Sequence, residues 1–124
     1  MKGFRVWSNY WKKYATEAEL YMDGSADAVF EDDGGVPHHE NTDLVVESKT
    51  GREDKNGKEI YVGDIVRAED IPKKTYEIIW DDDLAVMMRD CHDRRWEVFQ
   101  VPLEVIGNIH ENPELLEEKN ERER

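Results

Sequence analysis

The chain has 124 residues, of which 30 are acidic and 17 basic, so its formal net charge at pH 7 is −13. Hydrophobic residues make up only 38%, but four Trp, five Tyr and three Phe can each bury a large area. Such a chain suits one domain, or a small domain with an appendage, and its core is too small for a deep substrate cavity. Its charge repels phosphate backbones unless basic residues cluster.

The cysteine content and the N-terminal segment both indicate the cellular compartment of the protein. Cys91 is the only cysteine, so no internal disulfide forms and a reducing compartment is expected. Residues 1–7 lack the apolar stretch of a signal peptide, and no apolar run approaches membrane length. We therefore expect a cytoplasmic protein that does not associate with a membrane.

The N-terminal half carries mixed signals. Residues 4–7 predict an opening strand, and residues 42–48 predict another. Tyrosines and apolar side chains recur near 3.5-residue spacing over 8–22, which predicts a helix capped by Ser8 or Asn9, although the aromatic content also fits strands. Residues 31–42 combine charge, paired glycines and a proline, so they are predicted to form a loop.

An acidic segment runs from residue 17 to residue 47. It contains ten carboxylates and no Lys or Arg. Charge runs of this kind usually form a solvated surface, and the sharper interpretation is a surface that meets a basic partner or imitates nucleic acid.

The second half is denser in β signals. Asn56-Gly57 predicts a two-residue type I′ hairpin turn, in which both central residues have positive φ. Gly63-Asp64 interrupts the next strand and predicts a bulge or close backbone approach, with the Asp64 side chain accepting backbone N–H groups. Gly107-Asn108 predicts a similar irregularity. Further strands are predicted at 65–67, 74–80, 84–88, 94–101 and 103–109.

Together these elements predict a mainly β (α+β) fold. Residues 49–124 are expected to form a small SH3-like β-barrel or meander. Asn112-Pro113-Glu114 predicts a short C-terminal helix over 113–119, because it supplies an N-cap side chain, a proline at the first helical position and a carboxylate that favours the helix dipole. Residues 1–48 are expected to form the N-terminal strand and an acidic, variable α/β appendage of the same compact structure.

Three stretches of the sequence resemble a known family, the YopX-like proteins. Thr50-Gly51 followed by DKNGKEIYVGDIV at 54–66 resembles the family's hallmark, and VIGNIHENPELL at 105–116 resembles its closing motif. FRVW at 4–7 resembles its opening strand, although Ser8 stands where an aspartate is common, and residues 8–49 carry no match. The resemblance implies a phage or prophage origin in Gram-positive bacteria, hence a bacterial host, and a largely β fold. It implies no activity and no catalytic residues.

Several residues have the chemistry of a site but a simpler structural explanation. His38 and His39 have the ligand type for a metal, yet adjacent histidines rarely converge on one ion. The run 81–83 of three aspartates fits a hairpin turn. Cys91 and Asp64 have side chains that can take part in catalysis. A lone cysteine is usually an ordinary packed or surface residue, and the predicted role of Asp64 in its turn is the simpler explanation. No phosphate loop, nucleophile motif or metal-spaced set of Cys and His is present, so we expect no catalytic residues, metal or cofactor.

Two principal hypotheses for function remain. The preferred one is a non-enzymatic binding module that contacts a host or phage protein through the acidic segment, with Glu31, Asp32 and Asp33 as candidate contacts. The alternative is a nucleic-acid-associated protein that binds single strands through Arg94, Arg95 and Trp96, or that mimics nucleic acid. Arg89 lies near the same basic–aromatic cluster. A small enzyme using Asp64 or Cys91 is a third hypothesis, and exposed β edges would permit a homo-oligomer.

Overall fold

The computed structural model describes residues 3–68, 75–80, 86–91, 94–97 and 102–116. The fold is mainly β, with a sheet curled into a half-barrel and one short C-terminal helix, which confirms the predicted fold class. An SH3-like closure of the barrel stays a prediction. The chain divides into two compact units, residues 1–48 and 49–124.

The first unit is built from antiparallel strands. β1 lies between β2 and β6, and β4 lies between β3 and β5. Val6, Ala28 and Phe30 form its buried core, against which Trp11 and Leu44 pack. The strands are β1 (Phe4–Ser8), β2 (Lys13–Tyr14), β3 (Glu17–Leu20), β4 (Ala26–Glu31), β5 (Pro37–Glu40) and the first half of β6 (Leu44–Glu53).

The helix predicted over 8–22 is wrong, and the appendage is β rather than α/β. The Ser8 hydroxyl does cap a turn, because it accepts the N–H groups of Tyr10 at 3.1 Å and Trp11 at 2.9 Å. The turn does not continue as a helix because Lys12 adopts a left-handed φ of 59°. The chain then returns alongside β1, where Tyr14 pairs with Trp7.

The loop predicted over 31–42 is wrong as well, since it contains a tight turn followed by β5. Asp32 forms the turn, because its Oδ1 accepts the N–H groups of Gly34 and Val36, both at 2.9 Å. β5 then pairs with β4. Pro37 is tolerated at the start of β5 because this strand lies at the edge of its three-stranded sheet.

The second unit contains a five-stranded antiparallel sheet in the order β11-β10-β9-β8-β12. Its core includes Val66, Tyr76, Ile78 and Met88. The helix is formed over 114–116, up to the last described residue. The strands after β6 are β7 (Glu59–Tyr61), β8 (Asp64–Ala68), β9 (Thr75–Trp80), β10 (Val86–Arg89), β11 (Arg95–Glu97) and β12 (Leu103–Asn108).

Some sequence predictions lie outside the described residues. They are the turn at 81–83, parts of the predicted strands at 74, 84–85 and 98–101, and the helix beyond 116.

The hairpin between β6 and β7 differs from the predicted type I′ turn. Gly57 has a positive φ of 83°, whereas Asn56 does not. The Gly57 N–H donates to the Asp54 carbonyl at 3.0 Å, and the Asp54 N–H donates to the Lys58 carbonyl at 2.8 Å. This is a three-residue loop with glycine at its left-handed position. The Asn56-Gly57 signal therefore located the turn but gave the wrong type.

Asp54 joins this hairpin to β12. Its Oδ1 accepts the N–H groups of Asn56 at 2.8 Å and Lys58 at 2.9 Å, and its Oδ2 accepts the Val105 N–H at 3.0 Å. Beside it, the Lys55 N–H donates to the Leu103 carbonyl at 2.8 Å. β12 is the last strand of its sheet, so these bonds occupy backbone groups at a sheet edge.

The Asp54 carboxyl is buried, and burial alone would raise its pKa. The N–H groups of Val105, Lys58 and Asn56 and the nearby Lys58 charge outweigh that effect, so the pKa of Asp54 is lowered from its ordinary value. The charged carboxylate is therefore the form that the fold stabilises.

Replacing Asp54 with Asn should reduce the free energy of unfolding by about 1–3 kcal/mol at neutral pH, because the amide NH2 then faces backbone donors. Because the folded pKa is lowered, the carboxylate's contribution is present above the unfolded pKa of about 4 and is lost as pH falls through the folded value. Urea unfolding should therefore show a difference between wild type and Asp54→Asn that shrinks in acid. Asp33→Asn, at an exposed carboxylate, is the control. Equal losses in the two variants would contradict this role.

The end of β12 depends on Gly107 and two asparagines. The pairing of β12 with β8 shifts register just before Gly107, which confirms the predicted irregularity. Asn112, predicted to cap the helix, uses its Oδ1 to accept the Asn108 N–H at 3.2 Å. Asn108 Oδ1 in turn accepts the N–H groups of His110 and Glu111, both at 3.0 Å. A Cβ added at Gly107 would lie 2.5 Å from Asn112 Oδ1, so the site fits only glycine without rearrangement.

Gly107→Ala should destabilise the fold by about 1–3 kcal/mol, the usual cost of overpacking, because the new methyl group collides with the Asn112 side chain. Gly34→Ala is the matched control, since its added Cβ would meet only Asp32 Oδ1 at an ordinary 3.6 Å. Its effect should stay within about 0.5 kcal/mol. Thermal unfolding of both variants measures the difference, and similar losses would show that the close approach at Gly107 is not limiting.

Candidate functional site

The three-stranded sheet of the first unit has one buried face and one exposed face. Along β4, Ala26, Ala28 and Phe30 are buried, whereas Asp27 and Glu31 are exposed, because successive strand residues point to opposite faces. Pairing places Glu17 and His39 on either side of Val29, and Glu19 beside Asp27. We call this exposed surface the acidic face; its members are Glu17, Glu19, Asp27, Val29, Glu31 and His39.

A groove of about 540 Å³ lies along part of the acidic face. Glu17, Glu19 and Asp27 supply carboxylates to its lining, and Phe4 and Val29 supply apolar surface. None of the described residues that line it is Lys or Arg. Its volume falls within the range of about 300–1,000 Å³ that is typical of ligand sites.

Tyr21 also lines the groove and is bonded to Asp27. Its hydroxyl donates to Asp27 Oδ2 at 2.6 Å. This hydrogen bond is the main reason that the pKa of Tyr21 is raised above its ordinary value. The phenol is therefore held in its neutral, donating form beside the carboxylate.

The hairpin between β3 and β4 exposes three consecutive large apolar side chains, Leu20, Tyr21 and Met22, which we call the apolar tip. Met22 is fully exposed, and Leu20 and Tyr21 are each 45% exposed. The turn itself is ordered, because the Tyr21 N–H donates to the Ser25 carbonyl at 2.8 Å and Asp23 Oδ1 accepts both the N–H and the hydroxyl of Ser25. Contiguous exposed apolar surface is characteristic of interaction sites.

The structure gives different roles to the three predicted contacts Glu31, Asp32 and Asp33. Glu31 and Asp33 are exposed. Asp32 holds its turn, and its Oδ2 lies 3.0 Å from His38 Nε2. That bond is the main reason that the pKa of Asp32 is lowered. The three residues were grouped because they are consecutive in the sequence, but only Glu31 and Asp33 are exposed carboxylates, whereas Asp32 holds the turn.

Other carboxylates of the acidic segment also hold the fold. Glu47 is 3% exposed, and its Oε1 accepts bonds from Arg5 Nε at 2.8 Å and from the Tyr14 hydroxyl at 2.9 Å. Glu40 accepts the indole N–H of Trp11 at 2.9 Å. The segment is therefore not uniformly a solvated surface.

The two adjacent histidines do not form a common site. The His38 ring lies 4.9 Å from the Trp11 ring and pairs with Asp32, whereas His39 belongs to the acidic face. Within the described ranges, no group of three or more His, Cys, Asp or Glu side chains is arranged to hold a metal ion.

Trp96 and Arg94, predicted as a nucleic-acid surface, lie close together, with the Arg94 guanidinium 5.9 Å from the Trp96 ring. Trp96 packs against the core of the second unit, edge-on to Tyr76 at 5.3 Å. Arg94 Nε donates to Asp90 Oδ2 at 3.0 Å. The tryptophan and one of the arginines are thus engaged within the fold.

The other two arginines of that cluster differ in their surroundings. Arg89 Nη2 donates to Glu77 Oε1 at 2.9 Å across β10 and β9. Arg95 is exposed. A cluster that looks basic in the sequence is therefore partly neutralised in the fold.

Asp64 has the structural role predicted for it. Its side chain is 2% exposed, and its Oδ2 accepts the Tyr61 N–H at 2.8 Å. The turn includes Gly63, at a φ of 99°, whose N–H donates to the Ile78 carbonyl at 2.9 Å. Cys91, the other catalytic candidate, is half-buried, and as the single cysteine of the sequence it forms no internal disulfide.

Sequence reasoning missed the apolar tip because residues 20–22 were assigned to a helix. The turn signal at Asp23-Gly24-Ser25 could have located it, because large apolar residues directly before a tight turn can lie at the exposed end of a hairpin.

In the part of the chain that the structure describes, no helical segment has the length and hydrophobicity that a membrane span requires.

The fold and this surface define a small, mainly β protein with a half-barrel sheet and an acidic exposed face. The model of the YopX protein family matches residues 3–117, so the chain belongs to the YopX family, as its motifs predict. No curated protein matches the chain.

Two solved structures are similar to the chain. Protein EF1440 from Enterococcus faecalis is 27% identical with a TM-score of 0.62, over 92% of this chain and 96% of that one. Protein yopX from Bacillus subtilis is 20% identical with a TM-score of 0.61, over 93% of this chain and 98% of that one. At that identity the second similarity shows the fold alone.

Proposed function

We propose that the protein is a non-enzymatic phage or prophage accessory protein that binds a protein partner in the cytoplasm of its bacterial host. The observation that carries the proposal is the exposed apolar tip at the end of the hairpin that also bears the acidic face. Tyr21 belongs to the tip and to the groove, so the two surfaces are continuous.

The composition of this surface supports a protein partner. Tyrosine and methionine are enriched at the centres of protein interfaces, whereas charged residues are commoner at the rim. The tip supplies Tyr21 and Met22, and Glu17 and Asp27 lie on the strands that lead to it. An ordered hairpin also presents these side chains at a low entropic cost.

The carboxylates buried in turns support the non-enzymatic part of the proposal. Asp54 and Asp64 are each 7% exposed or less and accept backbone N–H groups. Such bonds fix the turns and engage both carboxylates within the fold. The net charge of −13, together with the ion pairs of Arg89 and Arg94, favours a protein partner over nucleic acid.

Capture from host lysate with the tagged protein tests the proposal. Wild type should retain a defined polypeptide after nuclease treatment, and Met22→Ser should reduce its recovery by about fivefold or more, as expected when an interface anchor is lost. Val36→Ser is the matched control, since Val36 is an apolar residue of the same unit that is 54% exposed away from the tip. Capture that disappears with nuclease, or that both variants weaken equally, would contradict the proposal.

A further inference from the structure

We propose that the groove on the acidic face binds a lysine or arginine side chain carried by an extended, positively charged segment of the partner. This inference rests on the proposed function and specifies the chemistry of the partner.

The carboxylates are placed where one cation can reach two of them. Glu17 lies opposite Val29, and Asp27 is two residues from Val29 on the same strand, so Glu17 and Asp27 are diagonal neighbours across β3 and β4. Such neighbours lie about 7–8 Å apart, a gap that one ammonium or guanidinium group can bridge. No Lys or Arg among the described lining residues already occupies this position.

The apolar part of the lining distinguishes a long cationic side chain from a simple ion. Lysine and arginine bury their methylene groups along apolar surface while the charged end stays in a polar environment. Val29 provides that apolar surface on the same face as Glu17 and Asp27, and Phe4 also lines the groove. A groove of about 540 Å³ has room for such a side chain and part of its backbone.

Tyr21 makes the groove more rigid and connects it to the apolar tip. Because its hydroxyl donates to Asp27 Oδ2, the Asp27 carboxylate is held at the lining before any partner binds. A preorganised carboxylate loses less side-chain entropy on binding than a free one. Because Tyr21 belongs to both the apolar tip and the groove, a partner segment that crosses the tip would reach the groove next.

Other occupants fit this surface less well. A second copy of the chain would bring another net charge of −13, and a phosphate-bearing ligand would meet the same repulsion. The groove lining also combines carboxylates with apolar surface, whereas hard metal ions need a set of polar ligands.

Fluorescence anisotropy with a labelled peptide of alternating lysine and serine tests the inference, because alternate residues of an extended chain share one face. The comparison probe is the same peptide with every lysine acetylated, which removes the charge and keeps the stem. Wild type should bind the lysine peptide about tenfold more tightly or better, and this preference should shrink as the salt concentration rises from about 0.05 M to about 0.5 M.

Three variants locate the binding. Glu17→Gln should weaken the lysine peptide by about two- to fivefold, in line with the loss of one exposed ion pair. Val29→Lys should weaken it by about tenfold or more, because the variant's own ammonium group competes inside the groove. Asp33→Asn removes one charge from an exposed turn outside the groove, so its effect should stay below about twofold. Circular dichroism checks that all three variants fold.

The inference is overturned if wild type does not bind the lysine peptide, if it binds both peptides equally, or if Asp33→Asn weakens binding as much as Glu17→Gln does. None of these results affects capture that resists nuclease and depends on Met22, so the proposed function can survive the failure of this inference. Conversely, loss of that capture would reject the proposed function even if the peptide preference were present.

Discussion

The bond between the Asp54 carboxylate and the Val105 N–H joins two parts of the second unit that are 51 residues apart in sequence. One oxygen of Asp54 fixes the hairpin between β6 and β7, and the other binds the outer edge of β12. Because β12 pairs with β8, the hairpin is connected to the five-stranded sheet. Both family motifs therefore meet at one buried carboxylate, which the fold favours in its charged form.

The same use of carboxylates recurs in the first unit and explains which acidic groups remain for binding. Asp32 holds a turn and Glu47 forms an ion pair with Arg5, so both carboxylates are engaged within the fold. Glu17 and Asp27 lie instead on the exposed side of a strand pair, beside a groove that the described basic residues do not line. The acidic residues therefore divide into those that hold the fold and those that leave charge on an exposed surface.

Strand positions with clear alternation or motif similarity were predictable, as were the irregularities at Gly63-Asp64 and Gly107. Glycine is favoured at Gly63 by its positive φ and at Gly107 by the close Asn112 side chain. The segment after Ser8 was not, because a helix cap and a single capped turn have the same local sequence, and the difference arises from the left-handed φ of Lys12. The groove could not be predicted either. It depends on which residue of β3 stands opposite Val29, and that register is fixed only by pairing.

Amide hydrogen exchange at Val105 tests most directly whether the Asp54 carboxylate secures the edge of β12. In Asp54→Ala, exchange of the Val105 N–H should accelerate more than that of Val66, a fully buried residue of the neighbouring β8. That result would show local opening of the edge on top of any global loss of stability. Equal acceleration at both amides, or no change at Val105, would contradict the account.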